Sequence, residues 1–222
     1  KYAVQETYNI YDGFSVTRLR LTGNPGSNNY LMLDLREINL DGRTGNFLFR
    51  KPGVFRLTAD LDQHRPVFDP ARAVTSDRLD WKFGAVFTPK KYLSISGDYN
   101  YLTRDGDRLS FPSGTQSVLG TKYDNTIQTG RIAADLRKDG RGLAVDYRIS
   151  NYADQLNGLA DRTGQVVSAR VYSPGYFYDK ATHMLRGAYG KSELDTSGLD
   201  YTFTRFEYTG VVRPVKVFQF KY

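Results

Sequence analysis

Few residues in this chain are of a type that does chemistry. Cysteine is absent from its 222 residues, which excludes disulfides, thiolate nucleophiles, thiolate metal sites and haem attachment through a CxxCH motif. The only two histidines are His64 and His183, so a two-histidine metal site requires distant segments to meet. Asp105-Gly106-Asp107 offers two carboxylates but lacks the spacing of a calcium loop, and it reads as Asp-Gly turn chemistry. His183 with Ser192 or an aspartate offers parts of a hydrolytic site. A triad is defined by geometry, however, and no nucleophile motif surrounds Ser192. No glycine-rich phosphate loop is present. The chain reads as non-enzymatic, with no metal and no cofactor of its own.

The charged residues form a different pattern. The net charge is +7, but the basic residues are spread at one or two per short segment and form neither a patch nor a helical stripe. Nucleic acid is therefore not an expected partner. Acids and bases alternate with apolar residues instead. Arg36, Arg56, Asp80, Lys82, Asp98, Arg131, Asp135, Asp146 and Arg148 fall on one side of such alternations, where they are expected to face water or a polar partner, as the lining of a lumen does.

The elements that carry these residues are strands. From Leu79 to Phe87, the residues Leu79, Trp81, Phe83, Ala85 and Phe87 share one face, with Asp80 and Lys82 on the other. After a turn at Pro89, Lys90 and Lys91 the pattern repeats in Leu93, Ile95, Gly97, Tyr99 and Tyr101, so the two segments read as a hairpin. The stretches 31–36, 55–61, 131–136 and 143–149 alternate in the same way. Weaker strands are expected over Gln165–Tyr172, Tyr178–Tyr189, Tyr201–Thr209 and Val215–Tyr222, and two more before Gly23. Helical spacing is sustained nowhere, and no window approaches the run of about 18 apolar residues that a membrane helix needs.

The links alternate in length. Lys51-Pro52-Gly53, Pro89–Lys91 and Lys138–Arg141 read as tight turns, while Asp62–Arg78, Arg104–Asp124 and Asn151–Gly164 read as long loops. Short turns on one side and long loops on the other are the habit of outer-membrane barrels, whose long loops lie outside the cell. Aromatic residues make up 14% of the chain, led by 17 tyrosines, while mean hydropathy is negative. A membrane barrel combines these, because only alternate residues of each strand meet lipid.

The fold expected is all-β: a transmembrane antiparallel β-barrel in a bacterial outer membrane, with residues 1–222 forming one barrel domain or barrel segment of about a dozen strands. Trp81, Phe83, Phe87, Leu93, Ile95, Leu143, Val145 and Ile149 are the residues expected to face lipid. With the Pro89 turn in the periplasm, the links 173–177 and 210–214 fall there too and the last strand runs outward. Further strands, of this polypeptide or another chain, are then expected to pair with the sheet's edges. A soluble β-sandwich or barrel binding a ligand or polysaccharide remains open as the reading from another class.

The stretch from about Tyr30 to Pro70 also resembles the first strands of the MtrB/PioB family, outer-membrane barrels that accompany decahaem cytochromes. The resemblance rests on Asp34-Leu35-Arg36 in a leucine-rich strand, Asp41-Gly42-Arg43 in a polar loop, a turn centred on Gly53, and Leu61-Asp62-Gln63 followed by His64, Pro66 and Phe68. It implies a porin-like sheath around a multihaem c-type cytochrome in extracellular electron transfer, with haem only in the partner. A general diffusion porin is the alternative among barrels.

Overall fold

A computed structural model of the chain describes residues 16–26, 28–38, 40–69, 74–110, 118–156, 161–175, 178–194, 199–215 and 218–221. They form no helix. Thirteen strands follow one another: β1 (Arg18–Gly23), β2 (Tyr30–Arg36), β3 (Thr44–Lys51), β4 (Phe55–His64), β5 (Val67–Asp69), β6 (Val74–Lys90), β7 (Leu93–Ser110), β8 (Val118–Lys138), β9 (Arg141–Asp154), β10 (Arg162–Gly175), β11 (Tyr178–Leu194), β12 (Leu199–Val215) and β13 (Phe218–Lys221).

All pairings are antiparallel, and spatial order follows chain order from β1 to β13, except that the short β5 lies off the path and pairs only with β6. This is the up-and-down topology of a barrel wall. Among the described residues β1 and β13 do not pair with each other, so the sheet is open. Nor does a second layer of described residues cover either face, and Leu102 is the only buried hydrophobic residue among them. A sandwich buries its apolar face against a second sheet, and here that feature is missing.

Turn chemistry fixes the register. Between Lys138 and Arg141, which pair directly, the chain reverses in Asp139 (φ 51°) and Gly140 (φ 77°). Two successive positive φ values are those of a type I′ turn, whose twist matches the strands it joins. At Pro52-Gly53-Val54, Gly53 takes φ 74° and the Val54 amide donates to the Lys51 carbonyl at 3.0 Å.

The alternation of link lengths persists, but with different bounds. The β6–β7 turn is Lys91-Tyr92, because Pro89 and Lys90 belong to β6. The expected long loops are largely strand: β7 and β8 stay paired out to Ser110↔Val118, so their link shrinks to 111–117, which lies outside the described residues. Residues 62–64, 67–69 and 74–78 are likewise strand, and β9 runs on to Asp154 with β10 starting at Arg162. The stretch 210–214, expected as a link, lies inside β12, as does Val215, and of the expected Val215–Tyr222 strand the described residues Phe218–Lys221 form β13.

Three prolines explain part of this. Pro89, Pro174 and Pro214 all sit within strands near the short-turn end, and the register slips at each: between Phe87 and Lys90, Pro174 and Gly175, and Val212 and Val215. Proline cannot donate to the ladder, so a strand that continues past it does so through a bulge.

Candidate functional site

Directly opposed residues in an antiparallel pair share a face, so the register sorts every side chain to one side of the sheet. One unbroken row illustrates it: Leu33, Phe47, Ala59, Phe83, Tyr99, Gly130, Ile149, Gln165, Lys191 and Thr202 are successive partners from β2 to β12. The row begins apolar and ends polar. A parallel row nearer the short turns, Leu93, Leu136, Leu143, Val171, Leu185 and Tyr208 from β7 to β12, is apolar throughout. The apolar band on this face therefore crosses the strands obliquely. It climbs by about six residues over nine strand spacings, a slope on the order of 25° from the standard rise and spacing.

The height of the band is also measurable. On β6 it runs from Leu79 to Phe87 and on β7 from Leu93 to Tyr101, in each case five alternate positions. Eight residue steps are about 27 Å along the strand, or roughly 20–25 Å along a normal inclined at 25–40°. The lipid-facing band of outer-membrane barrels is about 25 Å tall. The face is open: Phe83 is 46% exposed, Ile132 66% and Phe206 78%. Of the exposed large hydrophobic residues, all but Val86, Tyr92, Leu156 and Tyr201 lie on this face. Trp81 stacks on Phe83 near the long-link edge, with centroids 5.9 Å apart, and Tyr101 is its cross-strand partner. Past that edge, Ser76, Asp77 and Arg78 of β6 continue in polar strand beside Arg104, Asp105 and Gly106 of β7.

The register puts Trp81, Phe83, Phe87, Leu93, Ile95, Leu143, Val145 and Ile149 together on the apolar face. Arg36, Arg56, Asp80, Lys82, Asp98, Arg131, Asp135, Asp146 and Arg148 fall together on the opposite one. There the carboxylates are ringed by cations from alternate positions of their own strand or from the next. Asp80 is buried between Arg78 (3.5 Å) and Lys82 (3.2 Å). Asp34 is buried against Arg18 (2.5 Å) and Arg36 (3.7 Å). Asp135 receives two bonds from Arg137, at 2.8 and 2.7 Å, and one from the Tyr172 hydroxyl at 3.0 Å. Asp146 accepts from Ser168 at 2.8 Å and faces Arg148 at 3.3 Å. Asp98 lies 3.7 Å from Arg131. Pairs whose cations remain in solvent contribute little singly, but together they make a wettable, charged surface. Arg50, Arg137 and Arg170 belong to this face as well and escaped the sequence reading, although alternation within their strands marks them.

The isolated chemical residues do not converge. His183 and Ser192 lie nine positions apart on β11, on opposite faces and about 30 Å from each other at the strand rise. His183 stacks on Tyr208, its Nδ1 2.5 Å from the hydroxyl, while Ser192 accepts from Arg162 at 2.8 Å. His64 is at the far end of β4, opposite Arg78. Asp105-Gly106-Asp107 is not a turn but strand: Gly106, at φ 122°, pairs with Ser76 and Tyr123. A β-carbon there would lie 2.3 Å from the Thr75 carbonyl oxygen, so only glycine fits. No group of three or more histidine, aspartate or glutamate residues that could hold a metal occurs among the described residues. Beyond the apolar band, burial raises the Asp77 carboxyl above the ordinary aspartate range. Arg65, 3.6 Å away, opposes the rise, and Asp41 and Asp105 add to it.

No protein-family model, no curated protein and no solved structure matches the chain.

Proposed function

We propose that this chain is membrane-spanning wall of an outer-membrane β-barrel, and that its polar face surrounds a multihaem c-type cytochrome, insulating it from lipid during electron transfer across the membrane. The observation that carries the membrane part is the oblique, uncovered apolar band. A planar slab of hydrocarbon cutting through tilted strands leaves a band of this slope and height on one face only. In water, such a contiguous apolar surface is a liability. The polar ends of β6, β7 and β8 beyond the band stand on the long-link side, which supports reading that side as extracellular and the tight turns as periplasmic. In hydrocarbon an unpaired strand edge leaves backbone groups unsatisfied at several kcal/mol each. Further strands, from this polypeptide or another, therefore close the sheet at β1 and β13.

The cytochrome part rests on the resemblance over residues 30–70 and on a polar, charged inner face. In this reading the wall itself does no chemistry and binds no haem; its work is insulation and positioning. Cell fractionation followed by purification in detergent tests both parts. The expected result is recovery in the outer membrane with a co-purifying haem absorbance. A chain that stays folded and soluble without detergent overturns the membrane part. Single-channel conductance with no haem partner overturns the sheath in favour of a diffusion porin.

A further inference from the structure

Five pairs of arginines stand directly opposite each other across the strands on the polar side: Arg18↔Arg36, Arg50↔Arg56, Arg78↔Arg104, Arg131↔Arg148 and Arg170↔Arg186. Like charges in directly opposed positions repel, so each pair calls for a counter-charge. Arg18 and Arg36 share Asp34, Arg78 has Asp80, and Arg50 lies over the Tyr30 ring at 5.3 Å. The last two pairs differ because they converge. Both line one groove of 610 Å³ on the polar face between β6 and β11.

The groove has a floor of short side chains, Ser94, Ser96, Ala133, Ala144 and Ser168, below the four long arginines. Arg137 and Lys91 also line it, so six cations face two carboxylates, Asp135 and Asp146. Both carboxylates are engaged. Asp135 is clamped by Arg137 and Tyr172, leaving Arg170 3.9 Å away, and Asp146 is held by Ser168 and Arg148. Arg131 also has Asp98 at 3.7 Å, and Arg186 stands opposite Glu207 on β12 but comes within 4 Å of no carboxylate among the described residues. The Nε atoms of Arg131 and Arg170 are buried with no hydrogen-bond partner. A buried guanidinium N–H without an acceptor is costly, and the planar fork of arginine matches the oxygens of phosphate.

We infer that this groove is a binding site for a small, multiply charged phosphate-type oxyanion, held by Arg131, Arg148, Arg170 and Arg186. The four arginines all lie on the polar face. The site therefore stands whether or not the opposite face meets lipid, and whatever else occupies a lumen.

The test is calorimetric titration of the folded full chain with inorganic pyrophosphate at fixed ionic strength, using sodium chloride at equal ionic strength as the blank. The expected result is saturable one-to-one binding that weakens at least tenfold in R131Q and in R170Q. In R56Q, which removes a polar-face arginine outside the groove, affinity should stay within twofold. Circular dichroism and migration on unboiled gels identify variants that have lost the fold, and R186Q repeats the test from the arginine that forms no ion pair. Absence of saturable binding overturns the site. So does equal weakening by R56Q, which reduces the effect to general surface charge. Neither result bears on membrane insertion, which is read separately by fractionation.

Discussion

Arginine at Phe83 and arginine at Gln165 should have opposite consequences, although the two positions belong to one cross-strand row on one face of the sheet. Phe83 is the third of five apolar positions on β6, four residues from either end of the band, which puts it about 10–12 Å from each edge along the membrane normal. Arginine at that depth costs about 2–4 kcal/mol in a membrane barrel, or roughly 30- to 800-fold in the folding equilibrium. Gln165 is level with Phe83 in the ladder but sits past the edge of the slanted band, with Lys191 as its neighbour. Arginine there should cost no more than about 1 kcal/mol, as at an interface. Val145→Arg, four residues from that row toward the short turns but within the band, should behave like Phe83→Arg. Equilibrium unfolding in urea from lipid vesicles reads all three variants against the parent chain. Equal costs at Phe83 and Gln165 would refute the oblique band, and negligible costs at Phe83 and Val145 would refute lipid contact altogether.

Gly140→Val forces a β-branched residue into φ 77° in the β8–β9 turn, and should destabilise by about 1–2 kcal/mol; an unchanged urea midpoint would count against the type I′ geometry. An epitope tag beside Leu156, in the β9–β10 link, should be labelled on intact cells, whereas one at Lys91 should need permeabilised cells; the reverse pattern would invert the topology. Asp77 has a raised carboxyl pKa in the folded chain. Folded protein then holds the proton more tightly than unfolded chain does, so stability declines as pH rises from the ordinary aspartate value through the raised one. Asp77→Asn should remove that decline from the pH profile of unfolding, and an unaltered profile would contradict the shift.

What the sequence made legible was the part of each strand inside the apolar band. Between Leu79 and Phe87 the two faces meet different surroundings, so composition alternates and the strand can be read directly. Past Leu79 that contrast ends: Ser76, Asp77 and Arg78 have polar neighbours on both faces, yet the ladder with Arg104, Asp105 and Gly106 continues through backbone hydrogen bonds. Backbone pairing leaves no signature in side-chain type, which is why the long-link ends of β6 to β10 read as loops. At the short-turn end the error came from proline. Pro89 and Pro214 look like strand terminators, but bulges carry the strands past them. Alternation within a strand sorts its residues between the two faces, although Arg50, Arg137 and Arg170 were passed over. The arginine groove was not legible, because the pairing of Arg131 with Arg148 and of Arg170 with Arg186 depends on register, and register between strands is set by turns and bulges rather than by any one strand.

The chain holds a single tryptophan, Trp81, on the apolar face near the long-link edge of the band, and quenching of its fluorescence by brominated lipids tests the membrane assignment most directly. In vesicles, Trp81 should be quenched strongly by lipids carrying bromine near the headgroup end of the acyl chain, less by lipids brominated near the bilayer centre, and little by aqueous iodide. Strong quenching by iodide with none by either brominated lipid would mean that this face meets water, and would contradict the account at its centre.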